Sequence, residues 1–486
     1  SWVPVGAAPH RLTFGFALER TRAGAFRLPD LHLSAGPALD GLLDAQARRI
    51  AAAMGARPPA RPSYNWCSWY YRFNYMDLDT LDEYLAAFSA LRDQVPLRTI
   101  QLDAGYCRTP GDWLEPNAQW PGGLREAFRR IGSAGYVPGI WIAPFVVGNL
   151  SRLAKEHPDW ILRRADGAPH VEKRFYEWRK PWPNPDTEYF VLDISHPEAM
   201  AHILSIFRTL RAWGARMIKT DFMLWHFQDP GTVLRHDPSR TTVEWFRILL
   251  AGIRDAVGEE TFWLGCIAPF LPFLGYADAM RIGGDVFSAW STVHMRNLAA
   301  KLAGSTYFNH IYWENDPDVL VLRDFDTELA PGEVAAVSLL QALYGGMVAT
   351  SDPLHRLAPD RLALFRFVRP FRCRKPHVPC LDQRRDDLVL TLCDPALDRY
   401  LVFLFNPTDQ PLVRQVDLRG LFADDPDPGP LFLSEWMTRS IGETPVRSLV
   451  AEIPAHGARL YYGSRSSAVR SFPDNLRWET DEPAGS

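Results

Sequence analysis

Between about residue 60 and residue 355, short apolar runs rich in β-branched and aromatic residues alternate with helical patterns, and this rhythm restricts the fold more than any other feature of the chain. Strands separated by a helix cannot pair as a hairpin, so neighbours must run parallel with helices covering them. Eight runs read as strands: Tyr64–Tyr70, Arg98–Asp103, Gly139–Phe145, Arg216–Phe222, Phe262–Ile267, Ala279–Asp285, Phe308–Trp313 and Met347–Ser351. Helical patterns between them include Leu81–Leu91, Gly123–Ala134, Ala199–Trp213, Val243–Val257 and Val286–Leu302. Eight such units predict an α/β fold, a (β/α)8 barrel, whose active site lies at the C-terminal ends of the strands.

Beyond residue 370 the text changes to short strands broken by Pro, Asp and Gly clusters: Leu388–Cys393, Tyr400–Phe405, Leu431–Glu435 and Ala458–Tyr462. These predict a C-terminal antiparallel β-sandwich domain. The expected division is a lead-in over 1–60, the barrel over 61–370, the β-domain over 371–463 and a polar tail over 464–486. The first 36 residues have room for two or three strands, and Leu42–Met54 reads as a helix approaching the barrel.

Composition removes several classes of function. A net charge of -4 and the absence of a basic run argue against nucleic acid as a partner. No stretch reaches the roughly 18 apolar residues of a membrane span. The N-terminus has no charged region leading into an apolar one, which favours a cytoplasmic location, although a chain beginning at Ser1 is also consistent with a leader already removed. The six cysteines show neither CxxC pairs nor zinc-type spacing, so neither a disulfide scaffold nor a structural metal is expected. The 17 Trp and 27 Phe fill a core in the plainest reading, and also suit a sugar, whose C–H faces stack on aromatic rings.

Charged residues at strand ends carry the chemistry. Arg216-Met217-Ile218-Lys219-Thr220-Asp221 ends an apolar run in a lysine and a carboxylate, and Met280-Arg281-Ile282-Gly283-Gly284-Asp285 ends another in an arginine and a carboxylate. Desolvating such groups is costly unless they are paired or used, so two strand ends of this kind suggest one shared site. Asp103, Cys266, Asp316 and Asp318 fall at further strand ends. A single strand-end aspartate is as readily a helix cap; several together with Lys and Arg are not so explained. Paired carboxylates without a metal motif point to glycoside hydrolysis. His226, His294 and His310 are scattered, and Gly345-Gly346 reads as a turn rather than a phosphate cradle.

The motifs resemble the clan D α-galactosidases, and within them glycoside hydrolase family 36. Asn65-Trp66-Cys67-Ser68-Trp69 is similar to the family's first-strand signature, and Gln101-Leu102-Asp103-Ala104-Gly105-Tyr106 to its Asp-Asp-Gly-Trp signature. Gly111-Asp112-Trp113, Trp120-Pro121-Gly122-Gly123-Leu124, Gly139-Ile140-Trp141, His157-Pro158-Asp159-Trp160 and Leu192-Asp193-Ile194-Ser195-His196-Pro197 follow in the family's order. The resemblance implies a retaining, exo-acting enzyme that removes a terminal α-D-galactosyl or related sugar from an oligosaccharide or glycoside. It implies Asp221 as nucleophile and Asp285 as acid/base, with Lys219, Arg281 and Asp103 holding sugar hydroxyls, Trp66 and Trp141 as pocket walls, and Cys266 near the C2 side.

Two departures qualify the resemblance. Ala104 stands where the family has a second aspartate for the C4 and C6 hydroxyls, which favours a sugar lacking the C6 hydroxymethyl, such as a β-L-arabinopyranoside, or one with a bulkier C6 group. Only about 60 residues precede the barrel, where the family has a large β-sandwich that often takes part in assembly; a homo-oligomer is left open. Two alternatives share the scaffold: a transglycosidase resembling raffinose synthase, and a carbohydrate-binding barrel without turnover.

Overall fold

The computed structural model describes residues 19, 32–36, 39–59, 63–175, 185–367, 378 and 388–468. The strands expected in the first 36 residues and the tail after 468 lie outside the described residues.

Nine parallel strand segments form one sheet that closes on itself. In chain order they are Tyr64–Cys67, Thr99–Leu102, Val137–Ile142, Met217–Thr220, Phe262–Gly265, Ala279–Arg281, Glu314–Asp316, Val319–Leu320 and Val348–Thr350. Glu314–Asp316 pairs with Ala279–Arg281 on one side, and Val319–Leu320 with Val348–Thr350 on the other. These two segments are one strand interrupted at Pro317-Asp318, where proline has no N–H to give the ladder. The molecule is therefore a (β/α)8 barrel with its seventh strand broken at the rim.

The helices Leu78–Ala90, Gly123–Ser133, Pro197–Trp213 and Thr242–Val257 cover the barrel near the expected positions. Their starts follow from local chemistry. Asp77 accepts from Thr80 N at 2.7 Å, and Thr241 and Glu244 form a capping box. The approach helix spans Leu39–Met54; its end packs so closely on the barrel that a side chain at Gly275 would meet the Met54 carbonyl.

The structure corrects two expectations and adds a helix. Phe308–Trp313 is not the seventh strand: Thr306–Phe308 is a 3-10 turn, and the strand begins at Glu314. The aromatic run fills the core around it, with Phe308 stacked on Tyr312 at 5.2 Å. The strand proper is polar yet buried, because Asn315 donates to the Ser305 carbonyl at 3.1 Å and Asp316 accepts from Arg281 at 3.3 Å. The helix expected from Val286 begins at Thr292, capped by Ser291, because Val286 N is taken by Asp318 at 2.8 Å and Glu328 N by the Ser288 carbonyl at 2.7 Å. A further helix, Pro331–Tyr344, had no sequence signal. It is apolar nearly all round and buried throughout its last turns, so it shows no amphipathic period.

Past residue 388 lies the expected antiparallel β-sandwich. Leu388–Asp394, Arg399–Asn406, Gly457–Ser464, Phe432–Glu435 and Ser440–Ile441 form one sheet, and Leu412–Asp417 with Ser448–Ile453 the other. Alternation splits the first sheet's faces. Leu401, Phe403, Phe405 and Leu460 join the barrel core, whereas Tyr400, Val402 and Leu404 pack with Val416, Leu449 and Ile453 in a second core.

Candidate active site

The second and fourth barrel strands deliver a buried ion pair to the rim. Lys219 Nζ lies 3.2 Å from Asp103 Oδ2, and both side chains are almost wholly enclosed. Burial disfavours the ammonium, but Asp103, Cys266 and Cys67 together outweigh it and hold the Lys219 pKa well above its ordinary value. Asp103 is held from several sides: Gln101 donates at 2.8 Å, Ala104 N at 2.9 Å, and the Cys67 thiol lies at 3.4 Å. Its own N–H donates to Ser68 Oγ at 2.9 Å, which ties the ends of the first and second strands together.

Asp221 follows directly on the fourth strand. Trp141 Nε1 donates to its Oδ2 at 2.9 Å, and Phe222 N to its Oδ1 at 2.7 Å. Phe222 has φ 52°, ψ 31°, a left-handed conformation uncommon for a bulky residue, and this turn folds the chain back so that its N–H meets the carboxylate. Cys266 lies under Asp221 in hydrogen-bond contact; burial and then the Asp221 charge push its pKa well up, so it stays a thiol. Trp141 is itself anchored, because Tyr106 donates to its carbonyl at 2.9 Å.

The sixth strand and the broken seventh complete the rim. The Arg281 guanidinium reaches Asp316 at 3.3 Å, Asp285 at 3.1 Å, and Asp318. Burial opposes its charge, but Asp318, Tyr70 and Asp316 outweigh burial and hold the pKa well above normal. The interruption at Pro317-Asp318 is what turns Asp318, with φ 81°, toward this arginine. Tyr70 is a partner that sequence reasoning missed. Its hydroxyl donates to Asp285 Oδ1 at 3.0 Å and accepts from Arg281 at 3.0 Å. Burial holds its pKa far up despite Arg281, so it remains a donor. Asp285 is unlike the other carboxylates in that its side chain is 60% exposed.

One cavity of roughly 340 Å³ joins these groups, within the range of sugar-sized ligand pockets. Asp103, Trp141, Lys219, Asp221 and Asp285 all line it. Arg281 and Cys266 do not; they sit behind the lining, one bracing Asp285 and the other Asp221. Trp66 is a correction. It is fully buried against Tyr84 and Phe88, with Nε1 donating to the Asp352 carbonyl at 3.1 Å, so it forms barrel core and no pocket wall. Strand alternation is the cause, since residues on either side of a strand face opposite ways. Trp69, Trp113 and Trp141 supply the aromatic lining instead, with Trp113 edge-on to Trp141 at 5.9 Å.

The far wall was not anticipated from sequence. Between the third and fourth strands an antiparallel sheet of Val146–Gly148, Glu188–Val191 and Val171–Arg174 brings Tyr189, Phe175 and Lys173 to the cavity. Its strands are too short and polar to stand out. Ala104 lines the cavity beside Gly105, where a φ of 107° and the 2.8 Å that a Cβ would have to Asn74 Cα exclude a side chain. Among the described residues, no group of three or more His, Cys, Asp or Glu could hold a metal, and no helix is long and apolar enough to cross a membrane.

Residues 100–237 match the Melibiase family model, a stretch that carries Asp103, Trp141, Lys219 and Asp221. An A type blood alpha-D-galactosamine galactosaminidase from Flavonifractor plautii is 27% identical over 184 residues, 36% of this chain and 16% of that protein. The chain spans less than a third of the length of the curated relatives it matches, the largest share being 28%. Among solved structures, an alpha-galactosidase from Thermus thermophilus in complex with stachyose aligns with TM-score 0.55 at 28% identity, covering 66% of this chain and 67% of that one. A β-L-arabinopyranosidase from Geobacillus stearothermophilus shares the fold, with TM-score 0.60 at 15% identity over 87% of this chain and 98% of that one.

Proposed function

We propose that this chain, melibiase-like over its second to fourth strands, is a retaining exo-acting glycoside hydrolase of the family 36 type that releases a terminal α-D-galactosyl or closely related sugar. The observation that carries this reading is that Asp221 and Asp285, from different strands, line one cavity while sharing no partner. Asp221 is fixed by two N–H donors and nearly buried; Asp285 is open to the cavity mouth. That asymmetry suits a nucleophile and an acid/base.

In the first step an Asp221 oxygen bonds to the anomeric carbon as the bond to the leaving oxygen breaks and Asp285 gives that oxygen its proton. In the second, Asp285 takes a proton from water, the water oxygen attacks the anomeric carbon, and the bond to Asp221 breaks. Net retention follows from two inversions. Trp141 holds the attacking carboxylate, and Lys219 with Asp103 presents a donor and an acceptor to ring hydroxyls. No metal or organic cofactor enters these steps.

Ala104 favours a second reading of the sugar. Where a carboxylate would bind a C6 hydroxyl, the lining here is a methyl group, which suits a β-L-arabinopyranoside. Assay of 4-nitrophenyl α-D-galactopyranoside against the β-L-arabinopyranoside, with Asp221→Ala as blank, separates the two. Faster arabinoside turnover supports the second reading, and turnover of neither, with wild type equal to the blank, defeats the hydrolase assignment. Proton NMR of the first-formed anomer tests retention.

A further inference from the structure

A second cavity of about 420 Å³ adjoins the sugar-sized one, and the two share Trp69, Tyr70 and Asp285. An acid/base that protonates a glycosidic oxygen must stand between the sugar and what leaves. Asp285 stands at such a junction, so the second cavity is where a leaving group would lie. This step rests on the hydrolase reading above.

The lining of the second cavity says what kind of leaving group it fits. Two of its polar groups, Tyr71 and Arg323, are already engaged by neighbouring residues. Tyr71 donates to Asp326 at 3.1 Å and accepts from Arg356 at 2.6 Å, and Arg323 is held by Asp352 at 2.6 Å and by the Asp326 carbonyl at 3.1 Å. Beside the exposed carboxylates Asp285 and Asp326, the open apolar surface is aromatic. Phe73 is 45% exposed and Phe287 55% exposed, unusual for rings with no polar atom. Phe73 is also held at φ 49°, ψ -132°, a region costly for any residue with a Cβ, with its ring edge-on to Trp69 at 5.5 Å. A strained backbone that displays a phenyl ring to solvent gains nothing from core packing.

We propose that Phe73 and Phe287, with Trp69, form a leaving-group subsite for an aromatic aglycone, so that the enzyme prefers aryl glycosides to those with small aliphatic leaving groups. An aryl ring would stack on Phe73 and Phe287 while its glycosidic oxygen rests at Asp285. The sugar end would remain in the first cavity against Asp221 and Lys219.

The test uses α-D-galactosyl fluoride, whose leaving group is too small to occupy the subsite, to report turnover, with phenyl and methyl 1-thio-α-D-galactosides as competing ligands. The expected result is that the phenyl compound inhibits on the order of tenfold more tightly than the methyl one, and that Phe73→Ala and Phe287→Ala each remove most of that preference. Equal inhibition by both compounds, or a preference untouched in both variants, overturns the subsite while leaving the hydrolase reading intact. Failure of the wild type to release fluoride from this compound and from β-L-arabinopyranosyl fluoride defeats the hydrolase reading. Calorimetric binding of the two thioglycosides then decides the subsite separately, through the same phenyl-to-methyl ratio in wild type and variants; binding of neither overturns both.

Discussion

Asp221 meets its neighbours through few bonds, which makes their removal informative. Replacing Trp141 by Phe keeps the wall but deletes the 2.9 Å donor to Oδ2. A hydrogen bond to a charged group contributes about 1.5–3 kcal/mol, so kcat/KM should fall by one to two orders of magnitude with the melting temperature nearly unchanged. Lys219 is a different case because it is paired in near-complete burial. Lys219→Ala leaves Asp103 charged and unpaired, and should cost about 3–5 kcal/mol of stability, read as a lowered urea midpoint. Trp66→Ala should likewise cost about 3–5 kcal/mol by opening a core cavity. In the fraction that stays folded, KM should be unaltered, since Trp66 does not reach the pocket; a raised KM would contradict its placement in the core. Ala104→Asp restores a carboxylate to the lining and should raise the galactoside-to-arabinoside ratio of kcat/KM, on the order of tenfold or more.

At the scale of elements, the seventh strand is the singular one. A polar strand is tolerated in the barrel wall because most of the groups it buries find partners: Glu314 accepts from Ser63 N at 3.3 Å, Asn315 donates to Ser305, and Asp316 accepts from Arg281, while Asn315 Oδ1 has none. Breaking the strand at Pro317-Asp318 costs ladder bonds but turns a second carboxylate toward the same arginine. Burial first, and then the charges of Asp316 and Asp285, push the Asp318 pKa up to about 7 against the pull of Arg281. Closure of the barrel also needs room at Gly346, where a Cβ would lie 2.8 Å from Asn309 Oδ1 and 3.0 Å from Asn315 N. Gly346→Ala should destabilise the fold by about 1–3 kcal/mol, measurable as a shifted chemical-denaturation midpoint.

For the molecule as a whole, the β-sandwich is joined to the barrel by an apolar face and by one titratable clamp. His456 from the sandwich bonds Glu333 at 2.7 Å, at the start of the helix Pro331–Tyr344, and Asp409 at 2.8 Å, while its ring stacks on Trp290 at 4.5 Å. Trp290 closes the loop that carries Asp285. Partial burial disfavours the imidazolium, but its bonds to Asp409 and Glu333 outweigh this and raise the pKa above 6.5; Arg296 also acts on Asp409. The sign follows: the folded state holds this proton more tightly than the unfolded chain, so the clamp's contribution is complete below 6.5 and is lost as pH rises through the folded-state value. The melting temperature should therefore fall between about pH 6 and 8. Asp318 shares the part of that slope below about pH 7, so His456→Gln should flatten the part above it, and an unaltered slope there would place the titration elsewhere.

The βαβα rhythm, the strand-end positions of Asp103, Lys219 and Asp221, and the short antiparallel strands of the C-terminal region were legible in the sequence, because periodicity and buried charge are local properties of the text; the strand read as far as Asp285 stops at Arg281 and leaves Asp285 in the loop after it. The polar seventh strand and the apolar helix Pro331–Tyr344 were not, since each contradicts its period and is stabilised only by neighbours distant in the chain. The facing of single residues was equally out of reach. Trp66 turned toward the helix Leu78–Ala90 by the parity of its strand, whereas Tyr70, directly after the same Asn65–Trp69 motif, came to touch both Arg281 and Asp285. Sequence alone determined which groups arrive at the barrel mouth. Only the tertiary structure decided which of them face the cavity and which stand behind it, because strand twist, closure and the break at Pro317-Asp318 set those directions together.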